Sequence, residues 1–513
     1  MAEKADVVET VKQGYAFEGA ALELGALLVD GEPNPEAAVR IPLGMMNRHG
    51  LVAGATGTGK TKTLQLMAEQ LSAAGVAVFA ADIKGDLSGV SQPGEGNDKL
   101  LARTKSIGQD WTATGFPTEF YALGGQGAGI PIRATITSFG PVLLSKVLGL
   151  NDVQESSLGL IFHYADKAGL TLLDLKDLRA VITHLTSDEG KDDLKELGGL
   201  SAATAGVILR SLIGFADQGA EAFFGEPEFD TADLLQQRDG KGVISLLELP
   251  NLQDRPALFS TFLMWLLADL FHDLPEVGDV DKPKLVFFFD EAHLLFNDAS
   301  KAFLDSIAQT VRLIRSKGVG VFFVTQTPKD VPDDVLAQLG SRVQHQLRAH
   351  TPNDAKALKA TVSTFPSSSY DLGEVLTQLG IGEAIVTVMN EKGAPTPVAW
   401  TRLRAPQSLM APASAEQLTA TVQASANNAK YSQPLDRESA YELLAAKVQA
   451  GAAQAEAEKQ QQEQAKQEEP RPRAQKQEKS MVEQVVGSSA FKQFARSAGR
   501  EIVRGLFGAA RRR

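Results

Sequence analysis

Apolar residues follow two rhythms along this chain. Leu51, Val52 and Ala53 form a short apolar run that ends in a glycine-rich turn, residues 61–74 carry apolar positions three and four apart, and 76–81 is a second apolar run. Strand, helix and strand in that order predict a βαβ unit with parallel strands. Beyond Ser91, Gly, Pro and polar residues break the pattern as far as about Pro141, and short strands at most are expected there. Between 142 and 235 helical spacing returns, as in Leu158, Ile161, Phe162 and Ala165 or Ile208, Leu212 and Phe215, while β-branched runs are scarce. The alternation then resumes: strand 243–249, helix 257–271, strand 285–289, helix 301–316 and strand 320–325, with shorter strands at 343–347, 383–389 and 398–402.

These elements describe an α/β core that is split in sequence. Its first part is 1–96 and its second 242–405, with 97–241 as an inserted, mostly helical domain. After Pro406 the composition shifts to Ala, Gln, Glu and Lys, so 406–469 is read as a low-complexity linker or solvated helix. A length of 513 residues with 43% hydrophobic and 22% charged residues excludes both a single small module and wholesale disorder. The absence of Cys removes disulfides, thiolate metal sites and a cysteine nucleophile together. Seven histidines without metal-ligand spacing give no reason to expect a histidine metal site. The first dozen residues, with Glu3, Asp6 and Glu9, lack the apolar core of a secretory signal, and the longest nearly apolar stretch, 257–268, is too short to span a bilayer. A cytoplasmic protein is expected.

Net charge is -12, but it is polarised along the chain. Residues 470–513 hold eleven Lys or Arg against three Glu, so this segment carries +8 and the preceding 469 residues carry -20. On a helix, Lys492, Arg496, Arg500 and Arg504 would form one stripe and Phe494, Ala498, Ile502 and Leu506 another nearly opposite. Such a basic amphipathic tail fits self-association or a protein partner, an anionic membrane surface, or nucleic acid through Arg511, Arg512 and Arg513.

The strongest chemical signal is Gly54-Ala55-Thr56-Gly57-Thr58-Gly59-Lys60-Thr61, which fits G-x-x-x-x-G-K-[ST] between a strand and a helix. Gly54, Gly57 and Gly59 let the backbone curl so that successive N–H groups face one hollow at a helix N-terminus, where partial positive charge favours phosphate. Lys60 is expected to reach the β and γ phosphates of ATP and Thr61 to offer its hydroxyl to Mg²⁺. Thr56, Thr58 and Thr63 complete the expected nucleotide contacts. The apolar run 285–289 ends in Asp290 and Glu291, the form of a buried strand delivering acids to its C-terminal edge. Asp290 is then the expected Mg²⁺ partner and Glu291 the group that orients and polarises the attacking water. Gln326, which ends the following strand, is a weaker candidate for contact with the γ phosphate, because an N-cap or loop role is the default for a lone Gln.

Four stretches resemble the HerA-like ATPases of the HerA/FtsK superfamily. They are Asn47-Arg48-His49-Gly50, Asp82-Ile83-Lys84-Gly85-Asp86, Asp290-Glu291-Ala292-His293 and Val324-Thr325-Gln326. The stretch from Thr327 to Asp333 followed by Arg342-Val343-Gln344-His345 is closer still to the bacterial YjgR-type branch. The resemblance covers roughly residues 15 to 405 and implies a RecA-like fold, a hexameric ring and ATP-driven movement of DNA. It also implies that a basic residue of one subunit completes the neighbour's site, with Arg315 as the counterpart here and Arg312 as second choice, and that Asp82 lies near the phosphates. HerA proteins carry a β-barrel ahead of the phosphate loop, and the 53 residues before Gly54 are expected to be too few for it. The expectation is therefore a Mg²⁺-dependent, ring-forming motor ATPase acting on DNA, with a nucleotide-gated scaffold recruited through its basic tail as the competing reading.

Overall fold

A computed structural model of the chain describes residues 2–195, 198–249, 256–278, 280–297 and 301–468. Residues up to Ala446 form one compact unit. Its centre is a mixed sheet built, among the described residues, from β1 (Ala21–Val29), β2 (Glu32–Pro42), β3 (Gly50–Ala53), β4 (Ala77–Asp82), β5 (Thr118–Leu123), β6 (Ile130–Ile132), β7 (Ile244–Glu248), β8 (Leu285–Phe289), β9 (Val319–Thr325), β10 (Ser341–Gln344), β11 (Glu383–Thr387) and β12 (Ala399–Leu403). The spatial order is β2-β1-β12-β11-β10-β3-β9-β8-β4-β7-β5-β6. From β10 to β6 all neighbours run parallel, and from β10 to β2 all are antiparallel. The run β10-β3-β9-β8-β4, with the strand of the phosphate loop second, is the RecA-like core.

Strand composition explains why this sheet is central. Phe287 and Phe289 of β8 pack with Phe79, Ala81, Val321 and Phe323 on one face, while Val286 and Phe288 pack with Val78, Ala80, Phe322 and Val324 on the other. Both faces of every core strand are therefore covered, which is why these strands read as continuous apolar runs rather than alternating ones. The first face is covered by helices Ile136–Val147, Asp152–Lys167, Leu175–Thr186, Ala202–Asp217, Pro256–Asp273 and Lys301–Ile314, and the second by Lys60–Ala73 together with Val11 of the N-terminal helix Ala2–Gly14.

Two expectations need correction. The span 97–241 is not helical throughout, since β5 pairs with β7 and β6 with β5, so both extend the main sheet beyond the second part of the core. With Pro131 inside a three-residue strand and glycines at 124, 125, 127 and 129, the apolar rhythm there is too short to register. Residues 406–446 are not a free linker either. Ser408 and Gln407 bond the buried Glu69 carboxylate, and Tyr431 and Ala440 are fully buried. Anchoring there is by polar contacts and a few apolar side chains, which leaves no periodic signature. The 53 residues ahead of Gly54 provide a helix, the β1–β2 hairpin that lengthens the antiparallel side, and β3. Of the second unit, from Lys447, the described part is the end of helix Ala440–Glu468. The basic stripe from Lys492 to Arg504 and the arginines at the chain end lie outside the described residues. Among the described residues no helix is long and apolar enough to cross a membrane.

Candidate functional site

Parallel pairing brings the C-terminal ends of β3, β9, β8, β4 and β7 to one edge of the sheet, with Ala53 opposite Thr325, Phe323 opposite Phe289, Phe289 opposite Ala81, and Asp82 opposite Glu248. The phosphate loop leaves β3 at this edge and enters helix Lys60–Ala73. Its shape is set by glycine. Gly57 (φ 83) and Gly59 (φ 112) occupy the left-handed region, and a Cβ on Gly54 would stand 2.4 Å from the Cβ of His345. The loop is tied on both sides: the Gly54 N–H donates to the Thr325 carbonyl at 3.1 Å and the Ala55 N–H to the Gln346 carbonyl at 2.8 Å. The cap residue Gly59 has no side chain to accept from the first turn of the helix, so its N–H groups are left for an external acceptor.

Lys60 is buried and its ammonium donates to the Ala55 carbonyl at 3.2 Å. Burial pushes its pKa down, against the pull of Glu291 and Asp290, which places the ammonium within electrostatic reach of both acids. Thr58 is buried and donates to the Ala55 carbonyl at 2.8 Å, whereas Thr56 is exposed at the crest, where the Arg348 guanidinium donates to its carbonyl at 3.2 Å. Thr61 is half-buried on the first turn of the helix. Thr63 is placed differently from the expectation: its hydroxyl is shared with His345 Nε2 at 2.9 Å and the Gly59 carbonyl at 3.3 Å, so it braces the loop from beneath. Its position one helical step past Lys60 turns it inward.

The acids lie two strands away. Asp290 is 1% exposed, its Oδ1 accepts from the Glu291 N–H at 2.9 Å, and its Oδ2 has no hydrogen-bond partner. Burial, with the Glu291 charge beside it, pushes its pKa up to about 7. Glu291 sits at φ 47, uncommon for a residue with a side chain and costing about 1–3 kcal/mol, and its Oε1 is ion-paired with the Lys84 ammonium. Burial alone would raise the Glu291 pKa, but the Lys84 bond and charge, followed by His293 and Lys60, outweigh it and hold the carboxyl below its ordinary range.

Next along the edge, Asp82 is fully buried and accepts from the N–H groups of Gly85 (2.8 Å), Asp86 (3.2 Å) and Leu87 (2.8 Å). It therefore folds the turn that carries Lys84. Burial still raises its pKa to about 6. Glu248, its neighbour in register, is pushed up to about 8 by burial, with the Asp82 and Asp86 charges adding to it.

Gln326 is exposed beside the loop, where Ala55, Thr56, Gln326, Arg348 and His350 line a cavity of about 280 Å³. Arg312 and Arg315 are not brought to this edge. Both are exposed near the start of β9, and the seven residues of that strand rise about 3.3 Å each, which puts them some 20 Å from the phosphate loop. A larger groove of about 530 Å³, between helices Ile136–Val147, Pro256–Asp273 and Lys301–Ile314, holds none of the phosphate-loop or acid residues, so chemistry rather than volume locates the site. Sequence reasoning assigns no role to Lys84, Glu248, His345 or Arg348. Lys84 and His345 stand inside noticed motifs, but the contacts that matter join residues 207 and 282 positions apart, and no local pattern reports them.

The residues present fit a nucleotide with a divalent cation. The helix end offers uncapped N–H groups, Lys60 offers an ammonium, and the orphaned Oδ2 of Asp290 is an unfilled acceptor. Among the described residues no three His, Asp or Glu are grouped to cage a metal alone; Mg²⁺ commonly takes most of its ligands from phosphates and water.

Comparison with known proteins agrees with this geometry. The DNA double-strand break repair helicase HerA of Saccharolobus solfataricus is 22% identical over 388 residues, covering 74% of this chain and 68% of that protein. The probable helicase MJECL08 of Methanocaldococcus jannaschii is 32% identical over 153 residues, 28% of each chain. The plasmid coupling protein TrwB, solved with the non-hydrolysable ATP analogue ADPNP, shares the fold at a TM-score of 0.51 and 18% identity, covering 79% of this chain and 94% of that one. Residues 28–513 match the family model described as Helicase HerA-like C-terminal, and with its phosphate loop and RecA-like sheet the chain belongs to that family, a P-loop ATPase of the HerA/FtsK superfamily.

Proposed function

We propose that the chain hydrolyses Mg²⁺-ATP at the sheet edge described above and uses the turnover as a motor. The observation that carries this reading is the convergence of the Gly54–Thr61 loop and the Asp290–Glu291 pair on one edge, with the Lys60 ammonium inside the field of both acids. The loop N–H groups and Lys60 would hold the phosphates, and Thr61 and Asp290 would hold Mg²⁺, which when bound neutralises phosphate charge. Glu291, held ionised at neutral pH, is the base that orients a water and takes its proton. Gln326, beside the loop, is placed to contact the terminal phosphate or that water.

Lys60→Ala is expected to abolish nucleotide binding. Glu291→Gln should bind ATP with near wild-type affinity and lose turnover about 10²- to 10⁴-fold, the range for a general base. A normal rate from purified Glu291→Gln refutes the assignment.

The finer reading is a homo-hexameric, cytoplasmic ring that moves DNA. Its support is family membership and relatives named as helicases. DNA-stimulated ATPase activity tests it: at low salt, where phosphate contacts are strongest, single-stranded or duplex DNA should raise the rate. A rate indifferent to both would leave the nucleotide-gated scaffold. Particle symmetry by electron microscopy with a slowly hydrolysed nucleotide tests the ring.

A further inference from the structure

Lys84 has no role in the scheme above, yet it makes the most direct contact with the candidate base. Its ammonium is bonded to Glu291 Oε1, while its side chain remains 45% exposed and that of Glu291 only 7%. The backbone beneath it is fixed, because Asp82 accepts three consecutive N–H groups from residues 85–87 and Gly85 takes φ 72. The arrangement is a rigid turn holding a four-carbon stem whose charged tip has room to move. The tip reaches the edge that carries the phosphate loop through Glu291, which follows Asp290 at the end of β8, and its charge also bears on Lys60, the residue that reaches for the phosphates. One ammonium is thus bonded to the base at the edge where the other awaits phosphate.

We infer that Lys84 exchanges partners: it holds Glu291 in the nucleotide-free protein and moves to the terminal phosphate when a triphosphate binds, releasing the carboxylate to take the water. This rests on the ATPase reading and deepens it, making Lys84 both a sensor of the γ phosphate and a positioning residue for Glu291. The physical reason for exchange is charge. A terminal phosphate offers more negative charge and three acceptor oxygens where Glu291 offers one unit and one bonded oxygen. After loss of the γ phosphate the competing acceptor is gone and the ion pair re-forms. ADP therefore leaves Glu291 held, and the free carboxylate belongs to the triphosphate state alone.

The test compares full-length wild type, Lys84→Ala and Lys84→Arg for affinity toward a non-hydrolysable ATP analogue and toward ADP, alongside kcat and KM. Wild-type binding of both nucleotides comes first, since failure there sinks the ATPase reading rather than the assignment of Lys84. In Lys84→Ala the preference for the triphosphate over ADP is expected to fall about tenfold, with ADP affinity within twofold of wild type. Lys84→Arg should recover most of that preference. An unchanged preference in Lys84→Ala, or an equal loss of affinity for both nucleotides, overturns the exchange. So does a raised kcat with unchanged preference, because Lys84 would then be a brake on Glu291 with no contact to phosphate.

Discussion

Gly54 offers a sharp test of how the phosphate loop is held. A methyl group added there lands 2.4 Å from the Cβ of His345 and 3.0 Å from Thr58 Oγ1, against an ordinary contact of 3.4 Å or more. About 1 Å of movement is needed, and neither side yields freely. The loop is bonded to β9 through Thr325 and to the segment just past β10 through Gln346, and the His345 N–H donates to the Ala53 carbonyl at 2.7 Å. Overpacking of this kind costs about 1–3 kcal/mol. Loss of one of the flanking hydrogen bonds adds about 0.5–1.5 kcal/mol. Gly54→Ala is thus expected to lower stability by about 2–4 kcal/mol in chemical denaturation and to weaken ATP-analogue binding, because the N–H hollow moves with the loop. Gly57→Ala is the control, since a Cβ there meets nothing within 4 Å and only its φ of 83 resists, at about 1–2 kcal/mol. Removing the obstructing Cβ with His345→Gly should make the two changes non-additive, the double variant losing less than the sum of the singles. Unchanged stability and binding in Gly54→Ala, or strict additivity in the double variant, refutes the steric argument.

Two further outcomes follow from charge and distance. If the chain forms the proposed ring and Arg315 serves a neighbour's site as the resemblance implies, Arg315→Ala loses hydrolysis while assembling normally, and mixed wild-type and variant oligomers are poisoned beyond dilution; activity strictly proportional to the wild-type fraction would exclude a contribution across subunits. Glu248, with a folded pKa raised to about 8, holds its proton in the folded chain but not in the unfolded one between about pH 4.5 and 8, so its contribution to stability is present at low pH and lost as pH rises through 8. The nucleotide-free protein should therefore lose stability between pH 6 and 8 at up to about 1.4 kcal/mol per unit from this group, and Glu248→Gln should flatten that slope in denaturation midpoints. An identical slope in wild type and variant removes Glu248 from the account.

What is legible in the sequence is what is local. Gly54 to Thr61 encodes its own turn, and the run of Phe before Asp290 announces a strand buried on both faces, so residue order alone puts loop and acids at strand ends. The bounds of β8 coincide with that apolar run to the residue, and the RecA-like core follows from the order of the elements. Contacts across the sheet are out of reach of such patterns. That Lys84 meets Glu291 depends on β4 and β8 being neighbours, and that Thr63 faces inward depends on His345 arriving beside Gly54 from β10. Short strands such as β6 and polar anchoring such as Ser408 on Glu69 leave no rhythm to detect.

The same parallel pairing explains the electrostatic character of the edge. Strands that all point one way deliver their terminal residues to a single line about 4.8 Å apart, so Glu248, Asp82 and Asp290 stand side by side however far apart they lie in the chain. Burial makes each costly to ionise, and each is pushed upward. Glu291 alone among these acids is pushed the other way, and the difference is Lys84. A carboxylate one residue beyond Asp290 stays charged because a cation from the neighbouring strand's turn is bonded to it. While bonded there, that cation occupies one of the two carboxylate oxygens, Oε1, and its charge makes the group a weaker base. Retaining the charge and using it are therefore separate requirements, and a cation that leaves when triphosphate arrives meets both.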